Sequence, residues 1–151
     1  MSNGLSTMRK LERGRAEFAY ECVRQAIEKV FKGEDKKERR KEYRSYARKI
    51  PTMILTNGLG QALAFLKAKA GSDEEESEAE KGKSEVYRLL YKQITDYMKS
   101  ETTLRISMPP QKEDLVEWVI SCDSVEYRYI TQEILAFLTW LSRFAEGMIE
   151  K

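Results

Sequence analysis

The chain has 151 residues, 27 of them Lys or Arg and 25 Asp or Glu, with 41% hydrophobic residues and only 3 Pro, the profile of one ordinary domain with its own core. Charged residues make up 34% and His is absent, so no Ser-His or Cys-His pair, His base or His metal ligand can be built. No apolar run approaches the ~18 residues of a spanning helix, and Met1 to Lys10 lacks the apolar core of a signal peptide, so the chain reads as cytoplasmic.

From Thr7 to Phe31, apolar residues recur at Leu11, Phe18, Ala19, Cys22, Val23, Ala26, Ile27 and Val30. This is the three-and-four spacing of one helical face, and Gly33 is placed to cap the helix in the left-handed conformation. A second helix is predicted from Asp35 to Ile50, with Tyr43, Tyr46, Ala47 and Ile50 inward and Pro51 ending or kinking it. Asn57-Gly58-Leu59-Gly60 should break the chain again before QALAFLKAKA resumes a helix that Gly71 closes. Gly60, Ala64 and Ala68 fall four apart, as do Gly58 and Ala62, which suits close approach of another helix, the favoured reading, or of a phosphate backbone.

Residues 71–83 (GSDEEESEAEKGK) have no aromatic or β-branched side chain and are predicted to form a mobile acidic linker. Ser84 is the expected N-cap of a helix to Lys99, with Val86, Leu90, Ile94, Tyr97 and Met98 inward. TTLRISMPP reads as extended. Leu115, Trp118, Val119 and Cys122 mark a short helix. Asp123 and Glu126 form a capping-box pattern for a last helix to about Glu150, striped by Tyr127, Ile130, Ile134, Phe137, Leu138, Leu141, Phe144, Ala145 and Met148. The expected architecture is all-α, a single-domain bundle of about five to seven helices spanning residues 1–151.

Catalytic chemistry finds little support. Acidic residues are plentiful, but no Asp or Glu stands isolated in an apolar setting with a second carboxylate at a meaningful spacing. Dinucleotide, P-loop and EF-hand motifs are absent. Cys22 and Cys122, one hundred residues apart, suit core positions better than a disulfide or zinc site. No catalytic residue, metal, cofactor or small-molecule substrate is expected.

The near-neutral total charge hides an asymmetry. Residues 1–70 hold 17 basic against 8 acidic residues, a net of +9, and residues 71–151 hold 10 against 17, a net of −7. Much of the basic excess sits in Lys36 to Lys49, KKERRKEYRSYARK, with eight basic and two acidic residues. On a helix Lys37, Lys41, Arg44 and Arg48 form one stripe, with Arg40 beside it and Lys49 at its end. Lys67 and Lys69 could extend the surface or complement a helix C-terminus. Glu38 and Glu42 are too few to neutralise the window, so a polyanion or an acidic protein surface is needed as countercharge. Tyr43 and Tyr46 could stack bases but also complete the inward stripe. Composition leaves nucleic acid and acidic protein both open.

The run YRSYARKIPTMILTNGLGQALAFLKAKAG, Tyr43 to Gly71, closely resembles the small-subunit family of type III-B CRISPR effector complexes, the Cmr or RAMP-module complex. LERGRAEFAYECV is similar to that family's first helix, and EYRYITQEILAFLTWLSRFAEGMIE to its last, so the resemblance spans almost the whole chain. It implies an all-helical, non-catalytic subunit of an antiviral ribonucleoprotein. Several copies would stack along a minor filament beside other subunits, with a basic face lining the groove for crRNA and target RNA. The RNA-binding candidates are then Lys37, Arg40, Lys41, Arg44, Arg48, Lys49, Lys67 and Lys69. The alternative is a scaffold whose basic helix docks on an acidic neighbour without touching RNA. A helix-turn-helix DNA regulator fits poorly, because PTMILTNGLGQALAFL presents no polar recognition face.

Overall fold

A computed structural model describes residues 3–71, 77–100, 103 and 106–151. Among them are six α-helices: α1 (Asn3–Gln25), α2 (Lys37–Asn57), α3 (Leu59–Gly71), α4 (Glu78–Lys99), α5 (Leu115–Ser121) and α6 (Ser124–Met148). No strand occurs among the described residues, in line with the all-α expectation. None of these helices is long and apolar enough to cross a membrane.

The helical stripes meet in one core. Val23, Tyr43, Leu63, Leu90, Tyr97, Phe137 and Leu141 are all fully buried and belong to the same cluster. Helix α6 lies between α1 and α2. Trp140 Nε1 donates to Glu12 on α1 at 3.0 Å, and the rings of Tyr20 and Phe144 meet edge to face at 5.6 Å. On the other side α2 runs antiparallel to α6: Lys37 at its start approaches Glu150, and Gly60, just past its end, donates its N–H to the Tyr127 hydroxyl at 2.8 Å. The predicted capping box is present, with Glu126 N–H on the Asp123 side chain and Asp123 N–H on the Glu126 side chain.

Helix ends are where the expectations need correction. After Gln25 the chain winds into a π-helical turn, Ala26–Val30, closed by Phe31 N–H on the Ala26 carbonyl at 2.8 Å. Gly33 is not a left-handed cap. Its φ of 97° is positive but its ψ is 165°, and it opens the 3-10 turn Glu34–Lys36. The wider turn absorbs an extra residue, and Arg40 Nη1 takes the carbonyls of Phe31 and Gly33 at 2.7 and 2.6 Å, satisfying groups that a left-handed glycine would otherwise help to close.

The second helix does not stop at Ile50. Pro51 sits inside α2, which continues to Asn57. A proline costs a helix one hydrogen bond and some crowding, but Ile50 and Ile54 on either side of it are buried, and their packing outweighs the local defect. Gly58, with φ 90° and ψ 157°, ends α2 instead. Only glycine adopts that conformation at low cost. Gly58→Ala is expected to lose about 1–3 kcal/mol, read as a fall in Tm of roughly 2–4 °C per kcal/mol for a chain of this size; an unchanged Tm would show that the junction can relax.

Ser84 is not an N-cap. It is buried within α4, and the cap is Ser77, whose hydroxyl accepts from Glu80 N–H at 3.3 Å. Of the acidic segment predicted as a linker, residues 72–76 lie outside the described residues, whereas Glu78 to Lys83 are helix, with Glu78 and Glu80 favourably placed at its positive end. Within TTLRISMPP, residues 102, 104 and 105 also lie outside the described residues. Met108 is buried and its N–H donates to Met98 C=O at 2.8 Å, which ties this connection to the end of α4. Of the small-residue strip Gly60-Ala64-Ala68, only Gly60 is closely approached, by Tyr127 and Ile120, while Ala64 and Ala68 face solvent; Ala62, on the other strip, is buried. Cys22 is a core residue, with burial pushing its thiol up to about 12, but Cys122 is only half-buried.

Candidate nucleic-acid interface

Helix α2 buries Tyr43, Ala47, Ile50 and Ile54 and turns its opposite side outward. Along that side runs a groove of about 590 Å³, lined by Arg44, Ser45, Arg48, Lys49, Thr52, Met53, Thr56 and Asn57. These residues form two rails at i, i+4 spacing, Arg44-Arg48-Thr52-Thr56 and Ser45-Lys49-Met53-Asn57. Three cations occupy the N-terminal half, and uncharged hydrogen-bonding groups most of the C-terminal half.

The cations are held open rather than neutralised. Arg48 has a side chain 70% exposed, and its Nε is 3.8 Å from Glu146; Lys37 is 4.0 Å from Glu150. Both distances are at the edge of pairing, and exposed pairs of this kind contribute little. Arg44 is half-buried, and its Nε is buried without a hydrogen-bond partner among the described residues. An unsatisfied buried donor is costly. Lys49 lies with Nζ 5.7 Å from the centroid of the Tyr46 ring. Tyr46 itself stacks on Tyr87 of α4 at 4.4 Å; burial, then the neighbouring Tyr87 and Glu42, hold its hydroxyl well above the ordinary value.

The remaining candidates are placed differently. Arg40 anchors the α1–α2 connection. Lys41 is half-buried on the stripe, with no ion pair among the described residues. Lys67 Nζ donates to Asp114 at 2.7 Å, and Tyr91 donates to the other oxygen of the same carboxylate at 2.6 Å. Burial alone would raise the Asp114 carboxyl, but Lys67 and Tyr91 together hold it below its usual value. Lys67 thus fastens α3 to the N-cap of α5. Lys69 lies over the Phe65 ring at 5.7 Å. Neither α3 lysine lines the α2 groove.

Arg44, Arg48 and Lys49 group together already in the sequence; Ser45, an uncharged residue between them, does not stand out there, and Thr52, Met53 and Thr56 lie beyond Pro51, where the helix was expected to end or kink. The i, i+4 series running on through the proline was the available signal. Glu42, one of the two acids expected to pair locally within the basic window, pairs with Arg39, whose guanidinium lies against Gly82 of α4.

The Cas_Cmr5 family model, described as a CRISPR-associated protein, matches residues 11–148. The CRISPR system Cmr subunit Cmr5 of Thermus thermophilus is 29% identical over 136 residues, covering 90% of this chain and 93% of that one. The X-ray crystal structure of a CRISPR-associated Cmr5 family protein from Thermus thermophilus has a TM-score of 0.65 to this chain at 29% identity, covering 93% of this chain and 98% of that one. With α2 to α6 and α1 from residue 11 onward inside the matched region, the chain belongs to the Cmr5 family, the small subunit of the type III-B Cmr CRISPR complex.

Proposed function

We propose that this chain is a non-catalytic, single-domain subunit that stacks in several copies along the minor filament of the cytoplasmic effector and lines the crRNA–target RNA groove with the outer face of α2. The observation that supports this reading best is the α2 groove itself, with its weakly paired cations. Arginine and lysine directed at phosphates hold a nucleic-acid backbone without reading bases, as an RNA-guided complex serving many guides requires. One copy offers few phosphate contacts and binds weakly; repeated copies raise the overall affinity through effective concentration. Stacking of this kind is heterologous, so its two ends must complement each other, and a chain with a +9 first half and a −7 second half has the charge asymmetry to set that polarity.

Charge reversal at Arg44 and Arg48 in the reconstituted complex tests the assignment, with assembly measured separately. Assembly should proceed, target-RNA affinity should fall about a hundredfold for two lost charged contacts, and the log–log salt slope should shrink by about 1.4. An intact complex with undiminished affinity removes α2 from the groove. Failure to assemble favours the scaffold reading, in which the same arginines dock on an acidic neighbour.

A further inference from the structure

The C-terminal half of the α2 groove has a property that the cationic half does not explain. Thr95, Thr131 and Thr139, inside α4 and α6, each donate their hydroxyl to the carbonyl four residues back, at 2.8 Å in every case, the ordinary fate of a threonine within a helix. Thr52 and Thr56 are equally helical, yet among the described residues neither hydroxyl engages a carbonyl or any other partner. Ser45 and Asn57, on the second rail, are likewise unengaged. The groove therefore continues from three cations into a row of free neutral groups, with Thr52 and Thr56 about 6 Å apart along the axis.

We propose that Thr52, Thr56 and Asn57 are the specificity-determining residues of this groove, taking ribose 2′-hydroxyls so that the subunit distinguishes an RNA strand from a DNA strand. The inference rests on the nucleic-acid reading of the α2 groove. A phosphate oxygen can only accept, and Arg44, Arg48 and Lys49 already supply its donors. A 2′-hydroxyl both donates and accepts, and it separates RNA from DNA at a given site. Threonine hydroxyls and an asparagine amide are its natural partners, because each also does both. From Arg44 to Thr56 the groove extends about 18 Å, the length of about five stacked nucleotides at ~3.4 Å each. One strand can thus lay phosphates on the cations and sugars on the hydroxyls at the same time. A deoxyribose strand would keep the first set of contacts and leave the second to water.

The test compares labelled oligo(U), oligo(dU) and 2′-O-methyl oligo(U) of equal length by fluorescence anisotropy on the full chain at low salt. Oligo(U) should bind about tenfold more tightly than oligo(dU) for two to three net hydrogen bonds. The 2′-O-methyl strand, which cannot donate, should fall toward oligo(dU); this arm needs no protein variant. Thr52→Val/Thr56→Val, isosteric and on an exposed face, should weaken oligo(U) alone and bring the ratio toward one. Arg44→Gln/Arg48→Gln should weaken both strands and preserve the ratio. A wild-type ratio near one, or a ratio that survives the valine variant, overturns the proposal while leaving the groove a nucleic-acid site. Binding of neither strand, by the chain alone and by the reconstituted complex, overturns this proposal together with the nucleic-acid reading.

Discussion

Arg15→Ala is expected to destabilise the fold by about 3–5 kcal/mol, the range for removing one partner of a buried ion pair. Arg15 on α1 donates from Nη2 to Glu133 Oε2 on α6 at 2.7 Å and from Nε to Oε1 at 3.4 Å, and Tyr97 on α4 donates its hydroxyl to Oε1 at 2.9 Å. Three helices therefore converge on one carboxylate that is only 3% exposed. Without Arg15 that charge keeps a single phenolic donor in a medium that solvates it poorly. The measurement is urea unfolding, in which the midpoint should fall while the slope stays unchanged. Replacing both partners by apolar residues of similar size, Arg15→Met with Glu133→Leu, should recover most of the loss, because the desolvation cost disappears along with the attraction. A single variant costing under ~1 kcal/mol would mean that the pair is as screened as a surface pair.

Phe137→Ala is the second large loss, about 3–5 kcal/mol from the buried ring and the cavity it leaves. Phe137 is fully buried on α6 and stacks on Tyr97 at 4.3 Å with an interplanar angle of 7°. Phe18 of α1 meets both rings edge-on, at 5.9 Å from Phe137 and 5.3 Å from Tyr97. The trio sits beside the Arg15–Glu133 pair and shares Tyr97 with it, so the two sites should not act independently. In a double-mutant cycle, Phe137→Ala with Arg15→Ala should depart from additivity by at least ~0.5 kcal/mol; strict additivity would show that Tyr97 does not couple the ring cluster to the carboxylate. Against a net stability of about 5–15 kcal/mol for a domain, either single change consumes a large part of the margin.

Repetition of local rules made much of the molecule legible in the sequence. The inward stripes of α1, α4 and α6, the capping box at Asp123 and Glu126, the break at Gly58 and the cationic window on α2 each follow from side-chain spacing within a few turns; Val30, expected on the first stripe, is exposed instead, because the π-helical turn shifts the register there. The resemblance carried by Tyr43 to Gly71 and the two terminal helices pointed to the family that the comparisons show. Helix ends were harder. The proline at 51 and the serine at 84 are ordinary terminators when read locally, but the buried flanks of α2 and the Ser77 cap overrule them.

The candidate site was half readable for the same reason. Arg44, Arg48 and Lys49 belong to a local charge pattern, and their spacing alone puts them on one face of a helix. Other features arise only from the packing of the helices: α2 runs on through Pro51, and Thr52, Thr56 and Asn57 complete the same groove. Arg40 is drawn off to the carbonyls of Phe31 and Gly33 and Lys67 to Asp114, while Glu146 and Glu150 become the nearest acids to the stripe. Periodicity and capping act over three or four residues. Which donor meets which acceptor depends on contacts between segments up to 128 residues apart, as between Glu12 and Trp140, and those exist only once the helices have packed.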